Sequence, residues 1–547
     1  MDLACTLLRP VAYVAGRHAA RQVRQFLAAH DRTAEVQDRL LAELLAAHAE
    51  TDFGREHHFA GIGGYGDFVQ AVPVGSHETI RPYVDRVLHG RTAALLPPGE
   101  PVLMFSQTSG TTGEPKHIPV TRRFLAEMKR GWNIFGLKTL RDHPSGWLRP
   151  IVTISSSMRE TTSPTGVPCG AISGLLAASQ KRIVRRMYVA PGESAEIHDP
   201  PAKYYTILRC GIGRDVAMIT TANPSSTIKL IETGQEHAER LIRDVADGTF
   251  HPPGEVPAEL ARRLRFRPDP AAARKLRAGI DRDGVLLPGH FWNVEVLCNW
   301  TGGTLGLYLP RLRELFGGAA VRDIGLLASE GRFSVPLEDG TPAGVAEITG
   351  NFLEFIPAAE YARDSPPALR AHELEVGQEY FLVLSNWAGL WRYSIDDRIR
   401  VTGRLGRSPV FEFLCRGTQT ANITGEKITE HQVVEAMRRA AAAAGASVDR
   451  FTLQGRFTRR PYYELRLEPA EGWTPQRLAE EMDRALAELN VEYRSKRASG
   501  RLGAVRAIRV EPGSFERRER ECIRRRCGRG EQYKHKYLLT DVLEGEA

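Results

Sequence analysis

The sequence predicts an α/β protein with a large N-terminal domain of several subdomains over residues 1–416 and a smaller α+β domain over 417–547. Three observations carry that expectation. At 547 residues the chain is longer than a single hydrophobic core supports. Its middle alternates short apolar runs (LRPIVTISSS, RDVAMITT, FWNVEVLCNW, VRDIGLLAS) with helix-like stretches at 226–247 and 257–278, as strands returning through helices do. Beyond Gly417 the texture changes to two helices among short strands over about 130 residues, an ordinary domain size.

Taken in order, residues 34–50 space Val36, Leu40, Leu41, Leu44 and Leu45 along one helical face. The apolar PVLMF at 101–105 reads as a strand, and the alternating run continues to Ala328. From Gly344 come further strands: GVAEIT, NFLEFIP, QEYFLVLSN, GLWRYSIDDRIRVTG and VFEFLCRG. In the last domain the predicted elements are helices at 430–444 and 475–489 and strands at 450–453, 462–467 and 504–510.

Composition excludes several classes. A net charge of +8, from 74 basic against 66 acidic residues, is modest and interspersed, which argues against a dedicated nucleic-acid surface. The basic run RRERECIRRRCGR at 517–529 reads as a solvated helix face. Seven scattered cysteines without a CxxC pair fit a reduced, cytoplasmic protein. The N-terminus has an acidic Asp2 and an apolar run interrupted by Arg9, so neither a signal peptide nor integral membrane association is expected. The histidines show no zinc-ligand spacing, and no GxSxG elbow is present.

The strongest chemical signal is TSGTTGEPK at 108–116. Thr108, Ser109, Thr111, Thr112 and the Lys116 ammonium can donate to phosphate oxygens, while Gly110 and Gly113 permit close backbone approach. The spacing is not that of a P-loop, since only two residues separate Gly113 from Lys116 and no hydroxyl residue follows the lysine. It resembles the phosphate loop of adenylate-forming enzymes, which join a carboxylate to AMP. Polar Gly-rich turns are common, but nine consecutive agreements after an incoming strand are not.

Such chemistry needs ATP with Mg²⁺, and hence a carboxylate ligand. Ser329-Glu330, after the apolar run 324–327, offers a hydroxyl and a carboxylate at a strand end, where α/β sites lie. A ribose needs an acid to receive its hydroxyls, and Asp396-Asp397 lies in a β-patterned run. Adjacent strand residues face opposite ways, so only one can address a ligand. A cation is needed where charge develops on the α-phosphate; Lys427 and Lys534 are candidates by context, although a solvated surface position is the ordinary fate of a lysine.

TDFGREHHF, DFVQAVPV, RPYVDRVLHG, SQTSGTTGEPKHIPVT, FLEFIP, ELEVGQEYFLVLSNWAGLWRYSIDD, LNVEYRSKR and GEQYK occur in that order. Together they resemble the Gretchen Hagen acyl-acid amido synthetases, the auxin-responsive branch of the firefly luciferase and acyl-CoA synthetase superfamily, over nearly the whole chain. The resemblance implies an adenylate-forming large domain and a mobile small one. It also implies a ligase that makes an acyl-AMP and pyrophosphate from a carboxylic acid, then passes the acyl group to an amine, an amino acid's being favoured. On this resemblance Thr108, Ser109, Thr111 and Thr112 hold phosphates, and Ser329 and Glu330 serve the nucleotide and the metal. Asp397 falls on the ribose acid of the family's YRxGD pattern, here YSIDD. Lys534 falls on the catalytic lysine of QYK, and Lys427 in the hinge region.

Two departures stand out. Leu326 occupies the position of an aromatic that lies against adenine, and Ser394 and Asp396 replace the usual Arg and Gly. An acyl pocket is expected between 151–174 and 299–310. An acyl-CoA synthetase and a non-catalytic nucleotide-binding homologue are the alternative readings; the acid, the amine and the oligomeric state are not legible.

Overall fold

The computed structural model describes residues 20–108, 116–180, 182–363, 365–417, 420–421, 423–424, 426, 428–458, 460–469, 473–498, 501–525 and 535–544. The chain divides into two compact units, Met1–Trp300 with Leu315–Phe413, and Thr301–Glu314 with Leu414–Ala547.

In the first unit the strands are, in chain order, β1 (Val102–Thr108), β2 (Lys116–Thr121), β3 (Ile151–Thr153), β4 (Thr161–Thr162), β5 (Pro168–Gly170), β6 (Met218–Thr220), β7 (Val296–Asn299), β8 (Ala320–Asp323), β9 (Leu327–Ala328), β10 (Gly331–Arg332), β11 (Ser334–Val335), β12 (Gly344–Ala346), β13 (Asn351–Pro357), β14 (Leu369–Arg370), β15 (Glu379–Asn386), β16 (Tyr393–Leu405) and β17 (Ser408–Arg416). The last of these crosses the unit boundary at Phe413. Strands β3, β6, β7 and β8 form a parallel sheet in sequence order. Its interior residues Val296, Leu297 and Cys298 are buried, which is why these segments read as continuous apolar runs rather than alternating ones. The run VRDIGLLAS is not one strand: the chain turns at Gly325, whose φ is +86° and which packs against the Ser334 carbonyl. Likewise 226–247 is two helices, Pro224–Glu236 and Ala238–Asp247, parted at a non-helical His237.

A second sheet, ordered β2-β1-β5-β4, joins β1 and β2 antiparallel, so that Thr108 pairs with Lys116. Helix Arg122–Asp142 follows directly, capped by Thr121 Oγ1, which accepts from Phe124 N at 3.1 Å. The third sheet has seven strands in the order β11-β12-β17-β16-β15-β13-β14. Helix Thr33–His48 lays its leucines into the same core, each worth about 1.5–3 kcal/mol. Its buried Gln37 fixes the docking, donating to the carbonyls of Ile348 (2.6 Å) and Asn351 (2.9 Å) and accepting from Leu353 N (2.8 Å).

Beneath the seven-stranded sheet lies a buried ion pair. Arg392, 3% exposed, bonds Glu354, 0% exposed, through Nε (3.0 and 3.1 Å) and Nη2 (2.9 Å). Its Nη1 donates to the Val72 carbonyl at 2.8 Å, and Tyr65 Oη donates to Glu354 at 2.9 Å. The pair thus ties the start of β16 to β13 and to helix Tyr65–Ala71.

In the second unit β18 (Thr420–Ala421) pairs with β19 (Ile428–Thr429), and β20 (Phe451–Phe457), β21 (Tyr462–Leu467), β22 (Arg506–Arg509) and β23 (Leu538–Glu544) form a sheet ordered β22-β21-β20-β23. Helices Glu430–Ala444 and Pro475–Leu489 bury their apolar faces in this unit's core. The first opens on a Thr429/Gln432 capping box and ends at Gly445 in the left-handed region. Strand β23 is an addition to the sequence expectation; it lies parallel to β20, with Leu538 opposite Leu453. The helix Ser514–Arg525 ion-pairs Glu519 with Arg450 at 3.0 Å and leaves Arg517, Arg518 and Arg520 exposed. Among the described residues no helix is long and apolar enough to cross a membrane.

Two outcomes are expected from this packing. Glu354→Gln keeps the shape but leaves the Arg392 guanidinium uncompensated, and should cost about 3–5 kcal/mol, read as a large drop in thermal midpoint; a midpoint within a degree of the parent would show the pair to be dispensable. The second concerns His48, which lies between Trp387 and Trp391 and donates through Nδ1 to Leu44 O at 2.8 Å. Burial lowers its pKa from 6.5 to about 4. The unfolded chain therefore takes up its proton first, and stability falls as pH drops from 6.5 toward 4. His30, whose pKa burial also lowers to about 4, contributes to the same fall, so His48→Phe should reduce, and not abolish, the slope of the urea midpoint against pH across that window.

Candidate nucleotide site

Four segments of the first unit share one apolar floor. Met104 and Phe105 of β1, Ile118 and Val120 of β2, Phe333 just beyond β10 and Ile395 of β16 belong to a single core cluster. Residues far apart in sequence are thereby held on one foundation.

The phosphate-loop residues Ser109, Gly110, Thr111, Thr112 and Gly113 lie outside the described residues, while Thr108 ends β1 and Lys116 begins β2 directly opposite. The loop therefore joins two hydrogen-bonded strand ends rather than a strand and a helix. Its stem is braced by the nearly buried Gln107, whose Nε2 lies 3.0 Å from His117 Nε2 and donates to Thr161 Oγ1 at 3.0 Å.

Ser329 and Glu330 are not at a simple strand end. They form the two-residue turn of the β9–β10 hairpin, in which Ala328 pairs with Gly331 and Leu327 with Arg332. Glu330 is 1% exposed, and among the described residues its Oε1 has no hydrogen-bond partner. A buried carboxylate oxygen in that condition is costly unless a cation or donor completes it, and a magnesium ion arriving with phosphate oxygens is such a partner. The Glu330 carbonyl accepts from Asn386 Nδ2 at 2.7 Å. Before the turn, Leu326 donates its N–H to Ser334 Oγ at 2.9 Å and accepts at its carbonyl from Phe333 N at 2.7 Å. Its side chain packs partly buried against the main core.

Asp396 and Asp397 lie together in a bulge rather than in plain strand alternation. The β15–β16 ladder passes from Phe381↔Arg398 to Val383↔Ser394, so Ile395, Asp396 and Asp397 together face only Leu382. Asp396 adopts φ +60°, a conformation that Gly takes freely and Asp tolerates, at the position where the family pattern has Gly. It is exposed and accepts from the Tyr361 hydroxyl, which also lies 2.8 Å from Ser394 Oγ. Burial, then the Asp396 hydrogen bond, push the Tyr361 pKa up, so it remains a donor. Asp397, by contrast, is 7% exposed. The two substitutions relative to the family pattern thus form one local set that directs the extra charge outward.

Lys427 and Lys534 lie outside the described residues, but their neighbours are firmly held within the second unit. Glu426 is buried and accepts from Ile423 N and Thr424 N, both at 2.8 Å, from Thr424 Oγ1 at 2.9 Å and from the Tyr463 hydroxyl. These hydrogen bonds outweigh the upward push of burial and lower its pKa. Glu430 accepts from Tyr537 N at 2.8 Å, three residues after Lys534. Sequence reasoning did not single out Asn386, Asn351, Tyr361 or Glu426, and an Asn or Tyr at a strand end carries no signal of its own.

The models that match this chain are the GH3 family N-terminal domain over residues 22–321, the GH3 family central domain over 345–416 and the GH3 family C-terminal domain over 431–542. An indole-3-acetic acid-amido synthetase, GH3.8 of Oryza sativa subsp. indica, is 27% identical over 88% of this chain and 84% of its own. A jasmonoyl-L-amino acid synthetase, JAR6 of Nicotiana attenuata, is 26% identical over 74% of this chain and 73% of its own. The solved structure of the GH3.15 acyl acid amido synthetase has the same fold, with TM-score 0.80 at 20% identity over 93% of this chain and 92% of that one. With its N-terminal, central and C-terminal models matched in order, the chain belongs to the GH3 family.

Proposed function

We propose that this chain is an ATP-dependent acid–amine ligase that activates a carboxylic acid as its acyl-adenylate and transfers the acyl group to the amine of an amino acid. The relatives named above are amido synthetases. The observation that carries the reading is the buried Glu330 carboxylate, whose Oε1 has no hydrogen-bond partner among the described residues, in a turn whose neighbours Ala328 and Phe333 pack in the same core as β1 and β2 of the loop stem.

In this reading the hydroxyls and amides of 108–113, with Lys116, hold the triphosphate. Glu330 holds Mg²⁺ at the phosphates, with Ser329 beside it. The ion, when bound, neutralises charge that develops on the phosphate oxygens. Asp397, buried within the bulge, receives the ribose hydroxyls, and Leu326 covers the base by apolar contact in place of an aromatic. Lys534 meets the α-phosphate as the carboxylate attacks and pyrophosphate leaves. The small domain, 417–547, then rotates, with Lys427 in the moving connection, and an amine replaces Lys534. Five described cysteines are free thiols, in keeping with a reducing cytoplasmic compartment.

An acid-by-amine panel scored for AMP release and new mass tests the reaction class. Amide masses with one or more amino acids are expected. Thioester with coenzyme A and no amide would make the chain an acyl-CoA synthetase, and failure of every acid to drive pyrophosphate exchange into ATP would leave only nucleotide binding. A second measurement addresses the lysine: Lys534→Ala should slow acid-dependent pyrophosphate exchange about 100-fold or more, and an unchanged rate would remove Lys534 from the site.

A further inference from the structure

The hairpin that carries Glu330 is a two-stranded sheet of its own, and among the described residues neither strand joins another ladder. Two strands alone are marginal in water, so something other than backbone pairing must fix the turn. Two side-chain amides do so. Asn386, at the end of β15, and Asn351, at the start of β13, are direct cross-strand partners. Asn386 Nδ2 donates to the Glu330 carbonyl at 2.7 Å and to Asn351 Oδ1 at 3.1 Å, and Asn351 Nδ2 donates to the Arg332 carbonyl at 2.7 Å. Asn386 Oδ1 accepts from Ala388 N at 3.0 Å, so the amide can face only one way. All four residues are at most 5% exposed, and water cannot compete for these bonds.

The approach is close enough to restrict the residue between the two carbonyls. A Cβ on Gly331 would stand 2.8 Å from Asn351 Oδ1 and 2.8 Å from the Phe333 ring. On its far side the hairpin is tied by Arg332, which donates from Nη2 to Ile324 O at 2.6 Å and lies 4.7 Å from the Trp132 ring centroid. One of the two amide tethers to the large sheet therefore ends on the backbone of Glu330 itself, the residue whose Oε1 has no partner among the described residues.

We propose that Asn386, linked to Asn351, is a positioning residue that sets the Glu330 carboxylate for the cation accompanying ATP. This rests on the reading of Glu330 as a metal ligand. Removing a partner behind a metal ligand commonly weakens metal affinity by 10–100-fold, whereas a purely structural amide would act on stability and on all nucleotides alike.

The test uses the full-length protein and two binding measurements, the Mg²⁺ dependence of ATP binding and the metal-free binding of AMP, both by calorimetry. Asn386→Ala should raise the half-saturating Mg²⁺ concentration about tenfold or more and leave the AMP dissociation constant within about twofold of the parent. In a Glu330→Gln background the same change should add less than about twofold, since the effect runs through Glu330. Gly331→Ala disturbs the amide pair from the hairpin side and should shift the Mg²⁺ dependence in the same direction, even where Asn386→Ala folds poorly. An unchanged Mg²⁺ dependence in both variants, equal losses for AMP and ATP–Mg²⁺, or a full additional effect in the Glu330→Gln background would each overturn the proposal. If Glu330→Gln alone leaves the Mg²⁺ dependence unchanged, the metal-ligand reading itself is overturned, a result distinct from failure of the Asn386 variant.

Discussion

Much of the large unit depends on the buried pairing of Arg392 with Glu354. Arg392 adopts φ +41° at the head of β16, a conformation that a long side chain rarely takes. It is held there because its guanidinium is bound by Glu354 and by the Val72 carbonyl, while its own N–H reaches Ser385 Oγ at 2.9 Å. Its carbonyl accepts from Gly75 N at 2.9 Å. One residue thereby joins β13, β15, β16 and the N-terminal helices, and it sets where the strand bearing Asp397 begins. Glycine at 389 is part of the same corner: with φ +77°, it passes so close to Leu95 that a Cβ would stand 2.8 Å from that residue's carbonyl oxygen.

The two most buried acids of this region are in opposite electrostatic conditions. Glu354 is satisfied by a guanidinium and a phenol, whereas one oxygen of Glu330 has no partner among the described residues. A structural acid in a low-dielectric interior needs the first condition. The second is tolerable when the remainder of the site completes it, which is why their partners, rather than burial alone, separate a scaffold carboxylate from a candidate ligand.

What the sequence made legible follows the range of the interactions involved. Helices Thr33–His48 and Glu430–Ala444 were readable because apolar spacing is written within the segment. The β1 strand was readable for the same reason. The break at Gly325 and the bulge at 395–397 were not, because both arise from what the chain meets across space: the Ser334 carbonyl in one case and a single opposing Leu382 in the other. Strand β23 was missed because its place is set by parallel pairing with β20, some 80 residues earlier. Nor did the run YSIDD show which way Asp396 turns: its φ of +60°, its exposure and its bond to Tyr361 arise from the bulge and from a residue 35 positions earlier. Asn386 and Asn351 lie in strand-like runs where an amide has no periodic signature.

The grouping of Thr301–Glu314 with the C-terminal residues bears on how the protein can be taken apart. The polypeptide passes between the two units three times, at 300/301, 314/315 and 413/414. Tyr308 and Leu312, from the early excursion, are buried. No single cut therefore releases either unit intact. A fragment starting at 417 would lack a piece of its own core, and one ending at 416 would carry an orphaned apolar segment into solvent. Part of the small unit is thus encoded in the middle of the large one's sequence.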